Sequence, residues 1–222
     1  MSVKAKICGL TTPEAVQAAV RAGAAYIGFV FYEKSPRNIS PEQAAKLAAK
    51  IPATVTICGV FVDPTDEQLD STLGHIPLDL IQLHGAESPR RVREIRKQFK
   101  RPVMKAIAVA SSEDIGHEDI KSAKTYENAA DMLLFDAKAP ASRPDGLPGG
   151  NGLPFDWHLM KSHHGSIPWM LSGGLDATNL AAAMAISGAV MVDVSSGVEN
   201  KPGEKSITKI NSFMAALRKD TI

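Results

Sequence analysis

Cys8 and Asp136 are the residues in this chain best placed to move protons. Cys8 ends the run Lys4-Ala5-Lys6-Ile7-Cys8. Two-residue alternation in a strand puts Lys4, Lys6 and Cys8 on one face and Ala5 and Ile7 on the other. A thiolate is a competent base, and a neighbouring Lys6 ammonium favours it over the thiol. A buried Lys6 needs an acidic partner, and Asp193 is the residue expected to supply it. Asp136 ends the apolar run Asp131-Met132-Leu133-Leu134-Phe135-Asp136. It reads equally as a cap for the following loop or as a general acid with a raised pKa. On residue type alone, a cysteine at a strand end serves packing more readily than catalysis, so that choice stays open here.

A second set of residues suits an anionic ligand. Ser172-Gly173-Gly174-Leu175 and Ser195-Ser196-Gly197-Val198-Glu199 each put glycine where backbone amides can approach a phosphate closely. The plainer reading is two tight turns. Arg37, in Ser35-Pro36-Arg37, carries the planar fork that suits a carboxylate, or is simply an exposed loop arginine. Gln82 and His84 share a face of Leu80–His84, which makes His84 a candidate substrate contact. The stretch Ala137–Leu153 holds three prolines and the run Gly149-Gly150-Asn151-Gly152. A loop of that length is usually functional, and this one could cover Asp136 and exclude water. Cys58, mid-strand, reads as packing. His163-His164 read as a solvated helix end. No H-x-x-x-H or C-x-x-C spacing suggests a metal, and no cofactor is expected.

These residues need a scaffold that brings distant segments together. Candidate strands run over Lys4–Cys8, Tyr26–Phe31, Thr56–Val62, Leu80–His84, Val103–Val109, Asp131–Asp136, Trp169–Ser172 and Val190–Ser195. Between them lie Ala-rich helical stretches with start signals. Thr12-Pro13, Ser40-Pro41 and Ser88-Pro89 each set a capping hydroxyl before proline, and Gln43 completes a capping box with Ser40. Asp176 is expected to cap a helix over Ala177–Ser187. In the helix from Ser88, Val92, Ile95 and Phe99 form the apolar stripe, leaving Arg91, Arg93 and Lys97 as a solvated face. Regular strand–helix alternation with about eight strands predicts a single-domain (β/α)8 TIM barrel over residues 1–222. An open sheet is disfavoured because no G-x-G-x-x-G follows the first strand. Barrel sites lie at the C-terminal ends of the strands, and phosphate sits after strands seven and eight, where both glycine pairs fall.

Composition narrows the partners. The formal charge is +1 from 25 basic and 24 acidic residues, so neither nucleic acid nor an anionic membrane is expected. No apolar run reaches the roughly 20 residues of a membrane helix, and the start carries no signal peptide. Two cysteines fit reduced thiols in a cytoplasmic protein. The expected partner is a small phosphorylated substrate, with no obligate protein partner evident.

Taken in order, Lys6-Ile7-Cys8-Gly9-Leu10-Thr11, Ser35-Pro36-Arg37, Gly59-Val60-Phe61, Gln82-Leu83-His84-Gly85, Gly149–Gly152 through Phe155-Asp156-Trp157, Ser172–Leu175 and Asp193–Glu199 resemble the phosphoribosylanthranilate isomerase family of tryptophan biosynthesis. The resemblance spans the chain. It implies a (β/α)8 barrel that catalyses the Amadori rearrangement of N-(5-phosphoribosyl)anthranilate without a cofactor. It implies Cys8 as general base, Asp136 as general acid and Arg37 as the group holding the anthranilate carboxylate. Gly173, Gly174, Ser196 and Gly197 then take the phosphate, with Gly150 and Gly152 nearby. One departure is Ser206, where the resemblance leads to an expected aspartate; it implies a weaker cap on the last helix. A related barrel isomerase, acting on a histidine-pathway aminoaldose, carries aspartate where this chain has Cys8. A non-catalytic phosphate-binding barrel is the alternative of a different class.

Overall fold

The computed structural model describes residues 3–111, 113–138, 149, 152 and 154–219. Eight parallel strands close into a barrel in sequence order. They are β1 (Lys4–Cys8), β2 (Tyr26–Val30), β3 (Thr56–Phe61), β4 (Leu80–Leu83), β5 (Val103–Val109), β6 (Met132–Ala137), β7 (Trp169–Leu171) and β8 (Met191–Val194). Closure is made by β1 pairing with both β2 and β8, with Lys6 level with Asp193 and Cys8 level with Gly28. Every expected strand is present, within two residues at each end.

Alternation sorts the side chains into two cores. Ile7, Ile27, Phe29, Ile81, Leu133, Phe135, Leu171 and Val192 point outward and are buried under the helices. Cys58, Leu80, Met104, Ala106, Leu134 and Met170 fill the barrel interior. Above that plug, Cys8, Val30 and Val60 form a third apolar group with Tyr32 against it. The interior is therefore a packed floor beneath an open mouth, as expected of a barrel whose chemistry sits at one end.

The helices are α1 (Pro13–Arg21), α2 (Pro41–Ala48), α3 (Asp66–His75), α4 (Pro89–Phe99), α5 (Glu113–Ser122), α6 (Leu180–Ser187) and α7 (Ile207–Lys219). Thr12, Ser40 and Ser88 cap α1, α2 and α4 as expected, and Ser40 with Gln43 forms the capping box. Val92 and Ile95 are fully buried, each contributing about 1.5–3 kcal/mol by burial.

Three local expectations are corrected. After β6 the covering element is a 3-10 turn, Trp157–Ser162. α6 starts at Leu180 rather than Ala177, although Asp176 makes the bonds expected of a cap, its carboxylate accepting from the amides of Thr178 and Asn179 at 2.7 and 3.1 Å. Ser206 does cap α7: its Oγ accepts from the Lys209 amide at 3.3 Å, so the serine costs the last helix no cap. After β8 the chain makes a small antiparallel ribbon, β9 (Glu199–Lys201) with β10 (Glu204–Lys205), before α7. No helix among the described residues is long and apolar enough to cross a membrane.

Candidate active site

The strand ends surround one pocket whose empty volume, counting its open mouth, is about 740 Å³. Cys8, Arg37, Gln82, His84, Asp136, Gly149, Gly152, Gly173, Gly174, Asp193 and Ser196 all line it. That size suits a small metabolite. Residues up to 188 positions apart in sequence meet here because each ends, or just follows, a strand of the same closed sheet.

Beneath the mouth, Lys6 is fully buried and donates from Nζ to Asp193 Oδ1 at 2.9 Å. Ser172 Oγ donates to the other carboxylate oxygen at 3.2 Å. The expected pair is therefore made, and both oxygens of Asp193 are satisfied. Cys8 sits above Lys6 on the same face. Burial pushes the Cys8 thiol up; Lys6 opposes that shift and Asp193 adds to it. The expectation that Lys6 favours the thiolate is thus right in sign but outweighed in magnitude. Desolvation of an anion in an apolar wall is the larger effect.

Room for the sulfur comes from a residue that sequence reasoning passed over. A Cβ on Gly28 would lie 2.9 Å from Cys8 Sγ and 3.2 Å from Lys6 Cε. Its signal was a glycine inside an apolar strand, which marks a close approach by a neighbour.

Asp136 is buried at the end of β6, three strands round the barrel from β1. Its Oδ1 accepts from the Ala137 amide at 3.0 Å, and its Oδ2 lies 3.2 Å from His84 Nε2. The other ring nitrogen of His84 is 2.8 Å from Gln82 Nε2. The loop that carries His84 out of β4 is anchored from below. Glu87 accepts from the amides of Asp63 and Gly85 and pairs with the buried Lys105 at 2.9 Å. Asp63 holds a left-handed conformation (φ 45°) and accepts from the Ala86 amide.

Arg37 reaches the pocket, but as a buried side chain rather than an exposed loop cation. Its Nε and Nη2 donate to Glu199 Oε1 and Oε2, both at 2.8 Å. Glu199 also accepts from Lys205 Nζ at 2.7 Å, and Lys205 donates to Ser195 O and Oγ. Burial raises the Glu199 carboxyl, yet hydrogen bonding from Arg37 and the charge of Lys205 prevail and hold it below the usual range. Close packing locks this arrangement. A Cβ on Gly9 would lie 2.7 Å from Arg37 Cδ, and one on Gly203 would collide with the Pro36 carbonyl. Glu199 and Lys205 carried no distinguishing signal in sequence, beyond the rule that a buried arginine needs a carboxylate.

At the far end of the pocket Gly173 and Gly174 both have positive φ, 87° and 62°, where glycine is the unstrained residue. Ser196 begins a one-turn 3-10 segment, Ser196–Val198. Gly197 packs instead against the loop after β7, where a Cβ would collide with the Leu175 carbonyl. Gly152 has φ 71° and lies close to Ser196. Gly150 and residues 139–148 fall outside the described residues. Cys58 is buried in the floor, as expected. His163 packs against Phe135 and Trp169 rather than standing in solvent. Among the described residues no cluster of His, Cys, Asp or Glu could hold a metal ion.

Residues 5–216 match the protein family described as N-(5'-phosphoribosyl)anthranilate (PRA) isomerase. A curated relative of that name from Rhodospirillum centenum is 52% identical over 215 residues, covering 97% of this chain and 98% of the relative. The crystal structure of phosphoribosyl anthranilate isomerase from Thermotoga maritima superposes with a TM-score of 0.83 at 34% identity, covering 98% of this chain and 99% of that one. A further structure, of a phosphoribosyl anthranilate isomerase in complex with reduced 1-(o-carboxyphenylamino)-1-deoxyribulose 5-phosphate, gives a TM-score of 0.79 at 32% identity, with the same coverage.

Proposed function

From the premise that the chain belongs to the N-(5'-phosphoribosyl)anthranilate isomerase family, and so converts phosphoribosylanthranilate to the carboxyphenylamino-deoxyribulose phosphate in tryptophan biosynthesis, we propose how its own residues divide the work. Asp136 protonates the ring oxygen, so that the C1–O bond opens to a Schiff base. Cys8, as thiolate, removes the proton from C2 and gives an enolamine. Ketonisation, with a proton arriving at C1, completes the isomerisation.

The observation that carries this reading is one pocket lined by both Cys8 and Asp136, from strands three apart round the barrel. Proton transfers at two ends of one small substrate need two groups held apart in that way. Gly173, Gly174, Ser196 and Gly152 then face the phosphate, with Gly150 and Gly197 assigned to the same end. The apolar group Cys8, Val30 and Val60 receives the anthranilate ring, and Arg37 takes its carboxylate. The partner is the small phosphorylated substrate; no nucleic acid, membrane or obligate protein partner is proposed. Two buried free cysteines suit a reducing compartment such as the cytoplasm.

The direct test is to add the protein to freshly made phosphoribosylanthranilate and follow loss of the anthranilate fluorescence. Stoichiometric binding without turnover would instead point to a non-catalytic barrel. Glu199→Gln tests the carboxylate end. Arg37 loses one side of a charge-assisted pair worth about 1.5–3 kcal/mol, so KM is expected to rise about tenfold or more, with kcat little changed. An unchanged KM in folded protein would remove Arg37 and Glu199 from substrate binding.

A further inference from the structure

A general acid must carry a proton when the C1–O bond breaks, and that proton needs a source. The Ala137 amide donates to Oδ1, which leaves Oδ2 as the oxygen open to a proton donor. The nitrogen of His84 stands 3.2 Å from Oδ2, within reach for proton exchange. Its second nitrogen faces an amide, and an amide can serve either protonation state of the ring. With Gln82 Nε2 toward Nδ1, as found at 2.8 Å, the neutral ring keeps its proton on Nε2, facing Asp136. With the amide turned over, Oε1 accepts from an Nδ1–H and the imidazolium is satisfied on both sides.

We propose that His84 and Asp136 work as one acid, His84 storing the proton that Asp136 delivers to the ring oxygen and Gln82 adapting to the ring's charge. The inference rests on Asp136 being the acid and adds the source of its proton. As the C1–O bond breaks, its electron pair stays on oxygen and takes the proton from Asp136. The imidazolium Nε2–H passes to Oδ2, and His84 is left neutral. The proton that Cys8 removes from C2 balances the one given, and solvent reloads His84, whose side chain is 13% exposed.

Other charges around the pair are already committed. Lys6 is bound to Asp193 on the β1–β8 side, and Arg37 and Lys205 to Glu199 above them. Lys105 is bound to Glu87 under the loop, where Asp63 lies against Gly85. Cys58 Sγ lies 3.8 Å from the Gln82 amide oxygen. A Cβ on Gly149 would lie 2.5 Å from His84 Nε2 and 2.6 Å from Asp136 Oδ2, so that backbone shields the pair from the loop side.

The kcat–pH profile tests this. His84→Gln removes the ring nitrogen beside Asp136 Oδ2 and with it the stored proton. The acidic limb is expected to move to lower pH and kcat to fall about 100-fold, the lower end of what a positioned acid contributes. Gln82→Met keeps the ring but removes the acceptor for Nδ1–H, and shifts both readouts the same way by less. It serves also if His84→Gln does not fold.

A lower limb that stays in place in both variants overturns the inference, as does a change confined to KM, which would make His84 a substrate contact only. Asp136→Asn separates the two levels. If it is inactive while His84→Gln keeps the native profile, only the inference fails. If Asp136→Asn turns over normally, the acid assignment fails as well.

Discussion

Cys8→Ala and Asp136→Asn are each expected to lower kcat by about 10²- to 10⁴-fold, the usual worth of a positioned base or acid. KM should change little, because neither side chain is assigned a grip on the phosphate or the carboxylate. Cys8→Ser retains the shape but replaces the thiol with a far weaker acid, so it should fall close to the alanine variant. Steady-state rates from the fluorescence assay, with circular dichroism to confirm folding, decide this. Near-native kcat in either variant removes that residue from its role, whereas an equal loss in both supports consecutive proton transfers. The pH dependence has a definite sign. Cys8 works as the thiolate, and burial raises its pKa. The limb of kcat/KM that belongs to it therefore lies on the alkaline side of an ordinary thiol, whose pKa is about 8.5.

Lys6→Met should be the most destabilising single change in the barrel, by about 3–5 kcal/mol. It removes the ammonium 2.9 Å from Asp193 and strands a buried carboxylate with Ser172 as its remaining hydrogen-bond donor. The size of the loss comes from the uncompensated charge rather than from the pair itself. Lys6→Met with Asp193→Leu should accordingly regain most of the stability in a denaturant melt, since both charges leave together. Activity should not return with it. Lys6 is the main group opposing the rise of the Cys8 pKa, so its loss should move the alkaline limb to still higher pH and lower the plateau. Equal stability of Lys6→Met and native protein would show that water reaches this pair and that the floor is not sealed.

The strands and three helix starts were legible because their causes are local. Alternation set β1 through β8 to within two residues, and Ser-Pro and Thr-Pro steps marked three helix starts. Local signals failed where a turn came between Asp176 and the first residue of α6, and where a 3-10 turn replaced a helix after β6. The pairing of Lys6 with Asp193 also followed from sequence. It needed only a closed barrel, since closure sets the first strand beside the last.

Cys8 and Asp136 show where that legibility ended. Their types and positions at strand ends could be read from the chain, and the ordered motifs favoured catalysis over packing. The sequence alone thus determined a barrel, a face for each strand residue and the two proton-transfer candidates. Tertiary structure decided what surrounds them: Gly28 making room for the sulfur, Glu199 and Lys205 fixing Arg37, and His84 meeting Asp136. Each of these contacts joins segments that are remote in the chain. Short-range periodicity fixes which way a side chain points, but only the closed sheet fixes what it meets, and the balance of burial against charge at Cys8 is set by those meetings.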